Sequence, residues 1–186
     1  MNNLSDKRVC ILVASGFAEQ QFSFITKGLL KTGAVLKTVA PETGLVHGWL
    51  GNDWGHYFPV DVQIAEALGS DFDCIIFLGG ARAVEKLKSN LHVQRILRHF
   101  TAAGKPVIAI EEALELLARY EALAGREVSA LPGSTAIAAA AGATVIKQNV
   151  TSDGPLLTFA RFEGEDLLDT LIPHLAGESA CVPVAA

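Results

Sequence analysis

Apolar residues come in short blocks along this chain, and two periods alternate between them. Residues 8–14, RVCILVA, are a continuous apolar run after one arginine, as expected of a strand covered on both faces. The segment FAEQQFSFITKGLLKTG then sets Phe22, Ile25 and Leu29 on one helical face and closes at Gly33. AVLKTVAP reads as a second strand, stopped by Pro41. From Glu42 to Pro59 the pattern breaks into glycines, histidines and two tryptophans, which predicts a hairpin or loop excursion. DCIIFLGG, Asp73 to Gly80, is a third buried strand ending on a glycine pair. HVQRILRHFTAAG returns to helical spacing with Val93, Ile96, Leu97 and Phe100. PVIAI is the next strand, and a helix from about Glu112 to Tyr120 follows. REVSA reads as another strand, GSTAIAAAAGA as a small-residue helix, and TVIKQ and LLTFA as short edge strands. GEDLLDTLIPHLAG is a closing helix, bent or ended at Pro173. The tail after Gly177, ESACVPVAA, has no periodicity and reads as loose.

Strands alternating with helices of this length imply a mainly parallel sheet with helices on both faces. Right-handed crossovers make that a doubly wound α/β fold, a flavodoxin-like three-layer αβα sandwich. With no internal repeat or linker, residues 1–177 read as one domain and 178–186 as its tail. Ligands of such sheets bind at the carboxyl ends of strands, beside the point where strand order reverses. The loops to watch therefore follow Ala14, Leu78 and Ile110.

Composition narrows the function classes. Half of the 186 residues are hydrophobic, which excludes disorder. Net charge is −5, and the lysines and arginines form no stripe, so a nucleic-acid partner is not expected. Cys10, Cys74 and Cys181 make no CxxC pair, which points to a reducing compartment and away from a structural zinc site. VCILVA follows Lys7 and Arg8 as a leader would, but it is short, lacks a cleavage site and runs into a helix pattern. Ser129 to Ile146 carries no charge, yet Pro132, Gly133 and Gly142 interrupt it, so no membrane span is expected. The expectation is a cytoplasmic protein with no metal and no cofactor.

Two places carry candidate chemistry. The loop FLGGAR fits neither GxGxxG nor GxxxxGK[ST], so it is a poor nucleotide-phosphate loop. Gly79 and Gly80 either let backbone N–H groups approach a bound oxyanion or simply make a tight turn. In GKPVIAIEEALELLA, Glu111 and Glu112 stand where a buried strand meets a helix. They either do chemistry or are ordinary acidic residues of a first helical turn, and the plain alternative weighs more. His47, His56 and His92 have no metal-ligand spacing. Trp49, Trp54, Tyr57 and Phe58 either line a pocket or a dimer contact, or fold over the sheet edge.

DCIIFLGGARAVEKL and GKPVIAIEEALELLARYEALAGREVSA together resemble the ThiJ/PfpI superfamily, relatives of class I glutamine amidotransferases. Members end one strand in Pro-Gly-Gly and another, after Gly-Lys-Pro-Val, in Ile-Cys-His-Gly, with a Leu-x-Gly-Arg turn beyond. Here LAGR stands at Leu123 to Arg126, and ILVASGFAEQQF and the PVDV at Pro59 to Val62 fit the same pattern. Carried over residue by residue, the nucleophilic cysteine falls on Glu111, its neighbouring histidine on Glu112 and the glycine on Ala113. The proline before the glycine pair falls on Leu78, and the acidic partner in the first helix on Gln21, with Glu19 close by. The resemblance therefore implies a site with Glu111 and Glu112 at the elbow and Gly79, Gly80, Glu19, Gln21 and Ala113 around a ligand. The carboxy-terminal domains of large catalases are similar and also lack the cysteine.

A thiolate at such an elbow is stabilised by the helix N-terminus and attacks a carbonyl. A glutamate there is held ionised by the same dipole, which makes it a poor nucleophile. Two readings stay open. One is a non-hydrolytic binding, stabilising or regulatory module, a pseudoenzyme without cysteine-dependent amidase or peptidase activity. The other is a divergent hydrolase or lyase with Glu111 as general base. The resemblance and the apolar composition also imply a homodimer, with the Trp49–Phe58 excursion at or beside the interface, and leave room for a small-molecule ligand.

Overall fold

The structure, a computed structural model, describes residues 3–177. The first half of the chain forms β1 (Arg8–Leu12), β2 (Phe17–Ala18), α1 (Glu19–Leu30), β3 (Val35–Ala40), β4 (Leu45–Leu50), β5 (Asp53–Pro59), β6 (Val62–Gln63) and β7 (Cys74–Phe77). Then come α2 (Ala81–Lys88), α3 (Leu91–Ala102), β8 (Val107–Ile110), α4 (Leu114–Arg119) and β9 (Glu127–Val128). The chain continues through α5 (Thr135–Ala140), β10 (Thr144–Val145), β11 (Val150–Asp153), β12 (Leu156–Phe159) and α6 (Gly164–Leu175).

Seven strands form the central sheet in the order β11-β12-β8-β7-β1-β3-β6. Every neighbouring pair is parallel except β11 with β12. β7, β8 and β12 are buried at every residue, which is why their sequences are apolar without alternation. The chain moves from β1 to β3 on one side and returns to β7 on the other, so strand order reverses between β1 and β7. The loops after β1, β7 and β8 lie at that reversal, where α/β sheets bind ligands. The flavodoxin-like α/β sandwich expected from the pattern is the fold observed.

Several elements depart from the sequence reading. LLTFA is no edge strand: β12 lies between β11 and β8 and is fully buried. The edge is β11, whose sequence VTSD is too polar to announce a strand. REVSA and TVIKQ contribute two residues each to a separate parallel ladder of β9 with β10, outside the main sheet. α2, which the pattern did not separate, buries Ala83, Val84 and Leu87 in eight residues whose others, apart from Ala81, are charged. The segment from Glu111 opens as a 3-10 turn, Glu111–Ala113, before α4, so α4 is shorter than expected. α6 neither stops nor breaks at Pro173 but runs on to Leu175. The tail reading and Cys181 fall outside the described residues.

The Glu42–Pro59 excursion is a hairpin. β4 and β5 pair antiparallel with an irregularity between His47 and Trp49, and β2 adds to β4 in parallel. Phe58 anchors it, packing on Phe17 and Phe22 with ring centroids 5.6 and 4.9 Å away. His47 stacks between Trp54 and Tyr57, at 4.6 and 4.0 Å. Those two outer rings remain 44% and 63% exposed. The hairpin thus closes one side of the strand-end region while presenting aromatics outward.

Candidate functional site

The site begins at an unusual backbone angle. β8 ends with Ile110 extended, and Glu111 turns the chain with φ of +55°. A non-glycine residue in this region costs about 1–3 kcal/mol and persists only where its surroundings hold it. Here the side chain provides that hold. Glu111 Oε2 accepts from Gln21 Nε2 at 2.6 Å, and Oε1 accepts from the Phe162 N–H at 3.0 Å. Phe162 is brought within reach because β12 runs beside β8, Phe159 opposite Ile110.

Gln21 sits in the first turn of α1 and is 3% exposed. Its Oε1 accepts from the Gly79 N–H at 2.8 Å, which fixes the amide so that Nε2 faces Glu111. Glu112 completes the set, its Oε2 accepting from the Gly80 N–H at 3.1 Å. The glycine pair after β7 is required by this crowding. A Cβ on Gly79 would lie 3.0 Å from each of Gln21 Nε2, Glu111 Oε2 and Glu112 Oε2. A Cβ on Gly80 would lie 2.6 Å from the Gly16 carbonyl.

A third carboxylate enters from the start of α1. Glu19 is 5% exposed; its Oε2 accepts from the His56 N–H at 2.7 Å and its Oε1 pairs with His56 Nδ1 at 2.6 Å. The hairpin makes room for it with two glycines: a Cβ on Gly55 would lie 1.8 Å from Glu19 Oε2, and one on Gly48 2.5 Å. Burial pushes the Glu19 carboxyl up, but the hydrogen bonds and charge of His56 outweigh it and hold the group below its ordinary value.

Above these groups lies a cleft of about 470 Å³ whose walls include Glu19, Gln21, Trp49, Glu111, Glu112 and Phe162. Of the candidate residues, Gly80 also lines it, Gly79 lies beneath with its N–H taken by Gln21, and Ala113 is fully buried away from it. Cys10 and Cys74 are buried within β1 and β7 and do not line the cleft. Burial pushes both thiols up, that of Cys74 to about 12. Among the described residues no group of three or more His, Cys, Asp or Glu is placed to hold a metal ion. Among them, too, no helix is long and apolar enough to cross a membrane.

Sequence reasoning missed His56 and Phe162. The glycines at 48 and 55 on either side of a tight hairpin were a usable signal for a group inserted between its strands. Phe162 acts through its backbone N–H and left no signal at all. Chemically, the assembled site offers carboxylate oxygens and aromatic rings, whereas the N–H groups of Gly79, Gly80 and Phe162 are already engaged.

Comparison with known proteins bears on the same elements. The model of the DJ-1/PfpI family matches residues 7–167. The Arabidopsis thaliana protein DJ-1 homolog D is 26% identical over 176 residues, 86% of this chain and 45% of the plant protein. Protein/nucleic acid deglycase 2 of Escherichia coli is 26% identical over 156 residues, 83% of this chain and 88% of that enzyme. Among solved structures, a two-domain Anabaena variabilis protein with DJ-1/ThiJ/PfpI-like and ferritin-like domains superposes with a TM-score of 0.82 at 24% identity. That superposition covers 95% of this chain and 50% of the cyanobacterial one. This chain thus spans about half the length of two of these proteins and most of the third.

Proposed function

The chain belongs to the DJ-1/PfpI family, and on that premise we propose that it is a non-hydrolytic member, a binding module with a stabilising or regulatory role. In this reading Glu111 stands where the family's cysteine nucleophile stands. One observation carries it: the Gly79 and Gly80 N–H groups, which could otherwise approach a bound oxyanion, are satisfied by the protein's own side chains, and the elbow carboxylate is tied down as well. Gly79 N–H binds Gln21, Gly80 N–H binds Glu112, and Phe162 N–H binds Glu111.

Freeing Glu111 to attack would break two hydrogen bonds to a charged acceptor, each worth about 1.5–3 kcal/mol. A carboxylate held by two hydrogen bonds is a weak nucleophile. The parallel is with the carboxy-terminal domains of large catalases, which also lack the cysteine. The exposed rings of the β4–β5 hairpin support a homodimer with that hairpin at or beside the interface. A cytoplasmic setting accords with the unpaired buried thiols.

A second reading has its own support. The cleft above Glu111 is open, and relatives are named deglycases. Glu111 would then act as general base through a water molecule held in the cleft. The first test is chemical. Amidase, peptidase and deglycase assays before and after iodoacetamide should show no cysteine-dependent turnover. Turnover abolished by alkylation, and by substitution of one cysteine, would defeat the proposal.

A further inference from the structure

The charges around the cleft are unbalanced. Glu111 Oε2 and Glu112 Oε2 both lie 3.0 Å from the point where a Gly79 Cβ would stand, so two carboxylates converge over one backbone position. Neither has an ion-pair partner among the described residues. Glu19 adds a third carboxylate to the walls, and the lining contains no lysine or arginine. Glu19 is paired with His56, and the Arg82 guanidinium, 4.2 Å from the Trp49 ring centroid, stands outside the lining, so Glu111 and Glu112 carry the uncompensated charge. The Gly79, Gly80 and Phe162 N–H groups are engaged by internal acceptors, so the donors left in the lining are neutral side-chain groups such as the Gln20 amide and the Trp49 indole. Trp49 and Phe162 supply aromatic walls to the same space.

We propose that this cleft binds an organic cation, a primary ammonium or guanidinium group on an apolar body. The cationic head would sit against Glu111 and Glu112, where it supplies the N–H donors that those oxygens still accept and relieves their mutual repulsion. The apolar body would lie against the Trp49 and Phe162 rings. An anionic ligand would meet the carboxylates and no lysine or arginine in the lining to offset them. The inference deepens the binding-module reading and rests on it.

The test is calorimetric titration with three probes of one shape: benzylammonium, benzyl alcohol and benzoate. Benzylammonium should bind saturably, benzyl alcohol more weakly, and benzoate not measurably. Glu112→Gln keeps an acceptor for the Gly80 N–H while removing one charge, and should weaken benzylammonium about tenfold. In the unaltered protein the same affinity should fall as salt is raised, which covers the case of a variant that folds poorly. Absence of saturable benzylammonium binding would overturn the proposal. So would benzoate binding as tightly as benzylammonium, or an affinity indifferent to both Glu112→Gln and salt. Failure of the parent reading shows separately, as turnover in the enzymatic assays.

Discussion

Gln21 and Glu111 are joined by a 2.6 Å hydrogen bond from the amide Nε2 to the carboxylate Oε2, across ninety residues of sequence. Because the Gln21 oxygen is engaged by Gly79, the amide can offer Glu111 only N–H, and the pair works only with Glu111 as acceptor. This bond, rather than either residue alone, defines the elbow.

Replacing Gln21 tests it. Gln21→Leu leaves a buried Gly79 N–H and a carboxylate oxygen without their partner, and should cost about 1–3 kcal/mol in chemical denaturation. Gln21→Glu sets two carboxyl groups in contact, which closes only around a shared proton. Its destabilisation at neutral pH should shrink as pH falls. A Gln21→Leu variant as stable as the parent would remove the bond from the account.

The elbow conformation should accept a cysteine at position 111. Glu111→Cys would place a thiol at the end of β8, ahead of a helical turn, where thiolates are favoured. Peptide mapping after iodoacetamide should find that cysteine modified rapidly, and Cys10 and Cys74 protected by burial in the native protein. Equal labelling of Cys10 or Cys74 would contradict the packing described.

Acid stability should report the Glu19–His56 pair. Glu19 is held below its ordinary value of 4.5, so its contribution is present above that pH and lost as pH falls through the lowered folded value. His174, pushed below its ordinary 6.5 by burial, has the same sign: the unfolded chain takes up the proton first, so stability drops as pH falls below about 6.5. Thermal melting from pH 8 down to pH 3 should show both losses. Glu19→Gln should flatten the lower one and His174→Gln the upper. A profile unchanged in either variant would refute that assignment.

The hairpin is the basis for proposing self-association. Trp54 and Tyr57 are exposed beside His47 on one surface, an arrangement that a symmetric partner would cover. Light scattering at micromolar concentration should give a dimer, weakened in Trp54→Ala. A monomeric parent protein would defeat the expectation, and an unchanged dimer in the variant would remove Trp54 as an anchor.

How much of this was legible beforehand varied with the physics. Strands such as β7 and β8 are buried on both faces, so continuous apolar runs marked them and the fold followed. β11 is polar and α2 mostly so, and only their tertiary pairing makes them regular. At the site, the EE step at a strand-to-helix turn drew attention to Glu111. The partners that define its state come from α1 and from beyond β12, and such long-range pairing has no local signature. For the Glu19–His56 bond the glycines at 48 and 55 were the one local hint, and the hairpin register that brings them and His56 against Glu19 is set by packing.

The central claim is that Glu111 is bound up in holding the elbow rather than in turnover. The most direct measurement is single-turnover deglycase assay of the parent protein beside Glu111→Gln, at high enzyme concentration over a glycated amine. The account predicts product formation at the uncatalysed rate in both. Product formed faster by the parent, and abolished in Glu111→Gln with the fold intact, would contradict it and establish Glu111 as a catalytic base.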